Sequence, residues 1–231
     1  MNTVKGIIFD YGGTIDTNGT HWAEVIREQY VKAGITIDDR LFRDTYIHGE
    51  RTLAKYPTIE PSDTFRTLLE KKIAIHPEYL GGIMSNIQQS AIARGCYQRV
   101  LDTMEKTRNV VEQLSKQYPM VLVTNFYGNM PVVLKEFALE KFFVKIVESS
   151  VVGIRKPDPA LFALGVEALS LPSCDVAVIG DSYRKDIFPA HTIGCHTVWI
   201  KGIGWETETP LAEAQPNAII ESLEELPAMF L

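Results

Sequence analysis

Short, β-branched apolar runs alternate with stretches of helical apolar spacing over most of this chain, and no other feature limits its fold so tightly. The runs are residues 4–9 (VKGIIF), 120–123 (MVLV), 144–147 (VKIV), 176–179 (VAVI) and 197–200 (TVWI), with 218–220 (AII) a weaker sixth. Between them, residues 103–118, 131–137, 159–169 and 184–193 carry apolar side chains at helical intervals. Pro131 and Pro159 stand where proline is tolerated, in a first helical turn. Near-continuous apolar strands separated by helices imply a Rossmann-like α/β core, a parallel sheet covered on both faces. Ligands of such sheets bind beyond the carboxyl ends of the strands, so the residues just after each run are the ones to inspect.

One region breaks the alternation. From His21 to about Val100 the pattern is helical throughout, with predicted helices at 22–33, 38–56, 61–75 and 79–98. Their joints carry Gly34, Pro57, Pro61, Pro77 and Gly81-Gly82. The expected organisation is therefore a core of residues 1–16 and 101–231, with an all-helical cap domain inserted at 17–100. Because the insertion leaves directly after the first strand, it should lie over the ligand end of the sheet.

Composition excludes some partners. With 23 Lys+Arg against 29 Asp+Glu the net charge is -6, which speaks against a non-specific nucleic-acid or anionic-membrane binder. Cys96, Cys174 and Cys195 are widely spaced and show no metal-ligand or disulfide-framework pattern. No charged-then-apolar leader precedes the first strand, and no apolar run reaches the length of a membrane span. A cytoplasmic chain, monomer or homodimer, is expected.

Four segments at predicted strand ends or loop-to-helix junctions carry polar groups suited to a phosphate and a divalent cation. They are Asp10-Tyr11-Gly12-Gly13-Thr14, Thr124-Asn125, Arg155-Lys156-Pro157-Asp158-Pro159 and Gly180-Asp181-Ser182 continuing to Asp186. Singly each is weak, since an Asp or Thr after a strand commonly serves as a turn or cap residue. Asp16, five residues before His21, reads as a cap or hinge residue. Trp205 reads as a loop anchor more than as part of a cleft rim.

In this order the four segments resemble the motifs of the haloacid dehalogenase superfamily, and the resemblance covers essentially the whole chain. It implies a hydrolase acting on a small phosphorylated metabolite with Mg²⁺ as cofactor. Asp10 would attack phosphorus and form an aspartyl-phosphate, splitting one difficult displacement into two. Asp10, Asp181 and the Gly12 carbonyl would bind Mg²⁺, which prefers hard oxygen ligands. Asp186 would hold a metal-bound water or orient Lys156. Thr124 and the Asn125 N–H would bind phosphoryl oxygens, Lys156 would offset their charge, and Gly13 and Thr14 would shape the loop.

The departure from the family pattern is Gly12. Phosphatases of the family carry there a second Asp, which protonates the leaving oxygen and then activates water. Tyr11, His21 and His48 are neighbouring substitutes, although strand alternation points Tyr11 away from Asp10. Related branches lacking that Asp include dehalogenases, which use no metal, and phosphonoacetaldehyde hydrolases, which form an imine on a cap lysine. Lys32, Lys55, Lys71 and Lys72 lie in the expected cap. A phosphometabolite-binding protein with little turnover is the remaining alternative.

Overall fold

In the computed structural model, which describes residues 3–56, 58–204 and 209–231, six strands form one parallel sheet. They are β1 (Gly6–Phe9), β2 (Met120–Thr124), β3 (Lys145–Glu148), β4 (Val176–Gly180), β5 (His196–Ile200) and β6 (Ala218–Ile220). Their order is β3-β2-β1-β4-β5-β6. Pro57, read as a helix joint, and Trp205 lie outside the described residues. The chain starts in the middle of the sheet, builds β2 and β3 to one side, then crosses β1 to continue on the other. That reversal opens a crevice at the carboxyl end of β1, where ligands of doubly wound sheets bind.

Register brings the strand ends level. Phe9 pairs with Leu122 on one side and Ile179 on the other, and Thr124 pairs with Glu148. The Asp10 N–H still donates to the Ile179 carbonyl at 2.9 Å, so the sheet ladder fixes the backbone that carries this side chain. Ile7 and Phe9 point into one apolar core and Ile8 into the other, so β1 is buried on both faces.

Helices α1 (Trp22–Lys32), α2 (Asp39–Lys55), α3 (Phe65–Tyr79) and the first part of α4 (Asn86–Ser115) make up the insertion. Each start is capped by a side chain. The His21 ring accepts from Ala23, Asp38 from Leu41 and Thr64 from Thr67, while Ser85 and Gln88 form a capping box. The core helices are α5 (Met130–Glu136), α6 (Ser149–Val152), α7 (Ala160–Leu169), α8 (Phe188–Thr192) and α9 (Leu226–Phe230). A π-turn over Tyr183–Ile187 precedes α8.

Several helix boundaries differ from the sequence pattern. Thr64 caps the third helix, which starts at Phe65 rather than 61, and Ser85 caps the fourth, which starts at Asn86 rather than 79. The third helix runs past Pro77 to Tyr79, because a proline near the end of a helix forfeits only one backbone bond; Gly81 and Gly82, both at positive φ, follow its end. Most of the residues in the runs at 79–98 and 103–118 join into one helix of 30 residues, Asn86–Ser115. Beyond Gly95 the sequence up to Ser115 has neither Gly nor Pro to stop it, so α4 is shared between the insertion and the sheet.

Candidate active site

Asp10 stands just beyond β1 with 6% exposure, and its two oxygens have separate partners. The Lys156 ammonium is 2.6 Å from Oδ1, and the Thr14 hydroxyl donates to Oδ2 at 3.1 Å. The same ammonium donates to Asp186 Oδ1 at 2.7 Å, and Asp186 Oδ2 accepts the Ser182 N–H at 3.0 Å. Lys156 thus bridges carboxylates that follow β1 and β4. Its backbone is gripped in turn by the Asn125 carboxamide, which bonds both its N–H and its carbonyl. Asn125 follows β2, so three strand ends converge on one lysine.

Asp10, Asp181 and Asp186 each offer a carboxylate oxygen, all within 4.8 Å of one another. Burial pushes Asp10 up to about 6 against the pull of Lys156, with Asp186 adding to the rise. Asp181 is pushed well above the ordinary carboxylate range by burial and by the charges of Asp10 and Asp186. Three clustered carboxylates facing one ammonium suit a divalent cation, and an all-oxygen donor set fits Mg²⁺. Lys156 keeps its proton, because the two carboxylates raise its pKa against desolvation.

The first loop is shaped for this cluster. Gly13 has φ +94, and a Cβ there would lie 2.2 Å from Asp181 Oδ2. Only glycine permits both the left-handed backbone and the closeness of that carboxylate. Beside it, the buried Asp16 carboxylate accepts the Gly13 N–H on Oδ1 and the Trp22 indole N–H on Oδ2, each at 2.8 Å. Burial pushes Asp16 up to about 7, opposed by those two donors.

A cavity of about 160 Å³ joins the carboxylates to the insertion. Asp10, Gly12, Asp16, Thr124, Lys156 and Asp181 line its floor, while Trp22, Tyr46, Glu50 and Lys72 line the helical side. Lys72 is buried and pairs with Glu50, its ammonium lying 5.7 Å from the Trp22 ring centroid and 5.5 Å from that of Tyr46. Glu50 also accepts the Tyr127 hydroxyl at 3.0 Å, which ties α2 to the loop after β2.

Asp10, Gly12, Thr124, Asn125, Lys156, Asp181 and Asp186 therefore meet at one cavity. Of the neighbours considered as acid or base, His21 lines it and is lowered to about 4 by burial. Tyr11 instead packs edge-on against Phe65 and Phe126, and its buried hydroxyl has no partner among the described residues. His48 stacks on Tyr79 and is not among the lining residues. Sequence reasoning missed the grip of the Asn125 side chain and the Glu50–Lys72 pair. Asn125 is visible only as a strand-end residue, and nothing in helical spacing separates Lys72 from Lys71, which pairs with Asp63.

A parallel sheet with clustered carboxylates and a lysine at its carboxyl end is the arrangement expected of a hydrolase of the haloacid dehalogenase type. The family model for haloacid dehalogenase-like hydrolases matches residues 4–194, and the chain belongs to that family. It is 32% identical over 206 residues to glyceraldehyde 3-phosphate phosphatase of Pyrococcus furiosus, covering 87% of this chain and 82% of that protein. It is 28% identical over 109 residues to phosphoglycolate phosphatase of Photobacterium profundum, covering 47% of each, so that match spans about half of that relative's length. In fold it resembles the L-2-haloacid dehalogenase RSc1362, with a TM-score of 0.64 and 18% identity over 98% of both chains. Among the described residues no helix is long and apolar enough to cross a membrane.

Proposed function

We propose that this chain is a Mg²⁺-dependent phosphohydrolase that acts on a small phosphorylated metabolite through an aspartyl-phosphate on Asp10. The reading is carried by one observation: the Lys156 ammonium held between Asp10 and Asp186, with Asp181 in the same carboxylate cluster. Asp10 is the nucleophile, and Thr14 holds the oxygen that Lys156 does not. Thr124 and the Asn125 N–H bind phosphoryl oxygens, and Lys156 offsets the charge of nucleophile and substrate. Asp10, Asp181 and the Gly12 carbonyl, with Asp186 through water, would hold Mg²⁺, which when bound neutralises charge on the transferring phosphoryl group. Residues 17–100 act as the cap, and the small cavity between cap and core suits a metabolite rather than a polymer.

Turnover of 4-nitrophenyl phosphate and acetyl phosphate with Mg²⁺ tests the activity. A panel including 2-phosphoglycolate, phosphoserine and glyceraldehyde 3-phosphate, compounds on which relatives are named to act, tests the substrate. No turnover alongside measurable phosphate binding would favour a binding protein, and metal-free chloride release from 2-chloropropionate would favour a dehalogenase.

One observation favours a second reading, imine chemistry on a cap lysine: Lys72 lines the cavity. Its ion pair works against that chemistry. Glu50 holds Lys72 protonated, well above its ordinary range, which withholds the lone pair that imine formation needs. Borohydride with phosphonoacetaldehyde is expected to leave Lys72 unmodified, and a trapped adduct would reverse the choice.

A further inference from the structure

Position 12 has no side chain, yet the space beside it is not featureless. A Cβ built on Gly12 would meet only the Trp22 indole, at 4.0 Å from both Cδ1 and Nε1. That same Nε1 donates to Asp16 Oδ2, and the other Asp16 oxygen takes the N–H of Gly13. The Asp16 carboxyl is therefore tied to both flanks of the place where a residue-12 side chain would emerge. It lines the cavity together with Asp10 and Gly12.

Asp16 is fully buried, and the side-chain hydrogen bonds it accepts come from neutral groups, the Gly13 and Trp22 N–H. Its charged neighbours are Asp10 and Asp181, and both repel its ionised form. Two N–H donors on separate oxygens call for a carboxyl group, and burying its charge with no cation beside it among the described residues is costly. Its pKa of about 7 leaves both protonation states accessible near neutrality.

We infer that Asp16 supplies the acid–base function that Gly12 lacks. The inference rests on the reading of Asp10 as nucleophile. In the first half-reaction Asp10 bonds to phosphorus as the bond to the leaving oxygen breaks, and that oxygen takes the proton of the Asp16 carboxylic acid. In the second, water attacks phosphorus and gives its proton to the Asp16 carboxylate as the bond to Asp10 breaks. Phosphate and an alcohol are released, and Asp10 and Asp16 return to their starting states.

The test uses the full chain with Mg²⁺, 4-nitrophenyl phosphate in rapid mixing, and acid quench followed by mass analysis of the Asp10 peptide. Nitrophenolate leaves without an acid, so Asp16→Asn is expected to release about one equivalent in a burst. Steady turnover then falls roughly 10²–10⁴-fold, with a phosphoryl group accumulated on the Asp10 peptide. Adding Gly12→Asp to Asp16→Asn is expected to restore turnover, since position 12 has room and ordinary φ. Unchanged turnover in Asp16→Asn overturns the inference. So does joint loss of burst and turnover without rescue, which marks a purely structural residue.

Trp22→Phe keeps the carboxyl and removes one donor to it, so it tests the idea even if Asp16→Asn folds poorly. With the best alkyl phosphate of the panel, the alkaline limb of kcat/KM is expected to move to higher pH; an unmoved limb contradicts the inference. Failure of the underlying reading has a separate signature. Turnover in Asp10→Asn, with no phosphoryl group on the Asp10 peptide of any variant, removes the nucleophile and the assignment of Asp16 with it.

Discussion

Two hydrogen bonds join the side chain of Asn125 to the peptide of Lys156: Nδ2 donates to the Lys156 carbonyl at 3.1 Å, and Oδ1 accepts the Lys156 N–H at 2.9 Å. The ammonium that meets Asp10 is thus positioned by a residue of another strand end. Asn125→Ala is expected to cost about 1–3 kcal/mol of stability. It is also expected to lower kcat by up to roughly 10²-fold through misplacement of the ammonium. Urea unfolding and steady-state kinetics read the two effects separately, and unchanged kcat would remove Asn125 from the positioning of Lys156.

Lys156→Met leaves Asp10 and Asp186 facing each other in a buried site without a cation. Breaking a buried ion pair from one side costs about 3–5 kcal/mol, so metal-free Lys156→Met should unfold at markedly lower urea. Saturating Mg²⁺ should recover part of that loss while turnover stays absent. Loss of stability without any Mg²⁺ recovery would contradict a metal site built on Asp10 and Asp181.

The carboxylates also set a pH dependence for metal binding. Asp10 is raised to about 6 and Asp181 is raised well above the ordinary range. In the metal-free protein a group raised on folding stabilises fully below its unfolded pKa, and that contribution is lost as pH rises through its folded pKa. For Asp10 this window runs from about 4 to about 6. Mg²⁺ needs the ionised carboxylates, so the rise in Tm on adding Mg²⁺ should be small at pH 5 and larger at pH 7.5. Calorimetry at both pH values checks it, and equal shifts would contradict the assignment.

Adjacent glycines should respond differently to alanine. At Gly13, φ +94 and the Asp181 oxygen 2.2 Å from a Cβ leave no place for a methyl group. Gly13→Ala should destabilise by more than about 1 kcal/mol and weaken Mg²⁺ binding. At Gly12 a Cβ meets only the Trp22 indole at 4.0 Å, and Gly12→Ala should change Tm little. Thermal melts of the pair, with and without Mg²⁺, decide it.

Much of this architecture is legible in the residues because parallel strands buried on both faces must be apolar and short. Asp10, Thr124, Lys156 and Asp181 stand out as polar groups that interrupt or follow such runs. What is not legible depends on packing between distant elements. The unbroken α4 hides because periodicity alone does not show whether two helical runs join. Lys71 and Lys72 are chemically identical, and only the packing of the buried face of α3 brings Lys72 to Glu50. Asp16 reads as a cap or hinge residue from the sequence. Its position across the Trp22 indole from Gly12 appears only once α1 folds back over the first loop.

The most direct measurement of the central claim is acid-quenched phosphopeptide mapping of the Mg²⁺-loaded protein during turnover, with Asp10→Asn as control. One phosphoryl group on the peptide containing Asp10, absent from Asp10→Asn together with all turnover, is the expected result. Turnover that survives Asp10→Asn, or a phosphoryl group on a different peptide, would contradict Asp10 as the nucleophile.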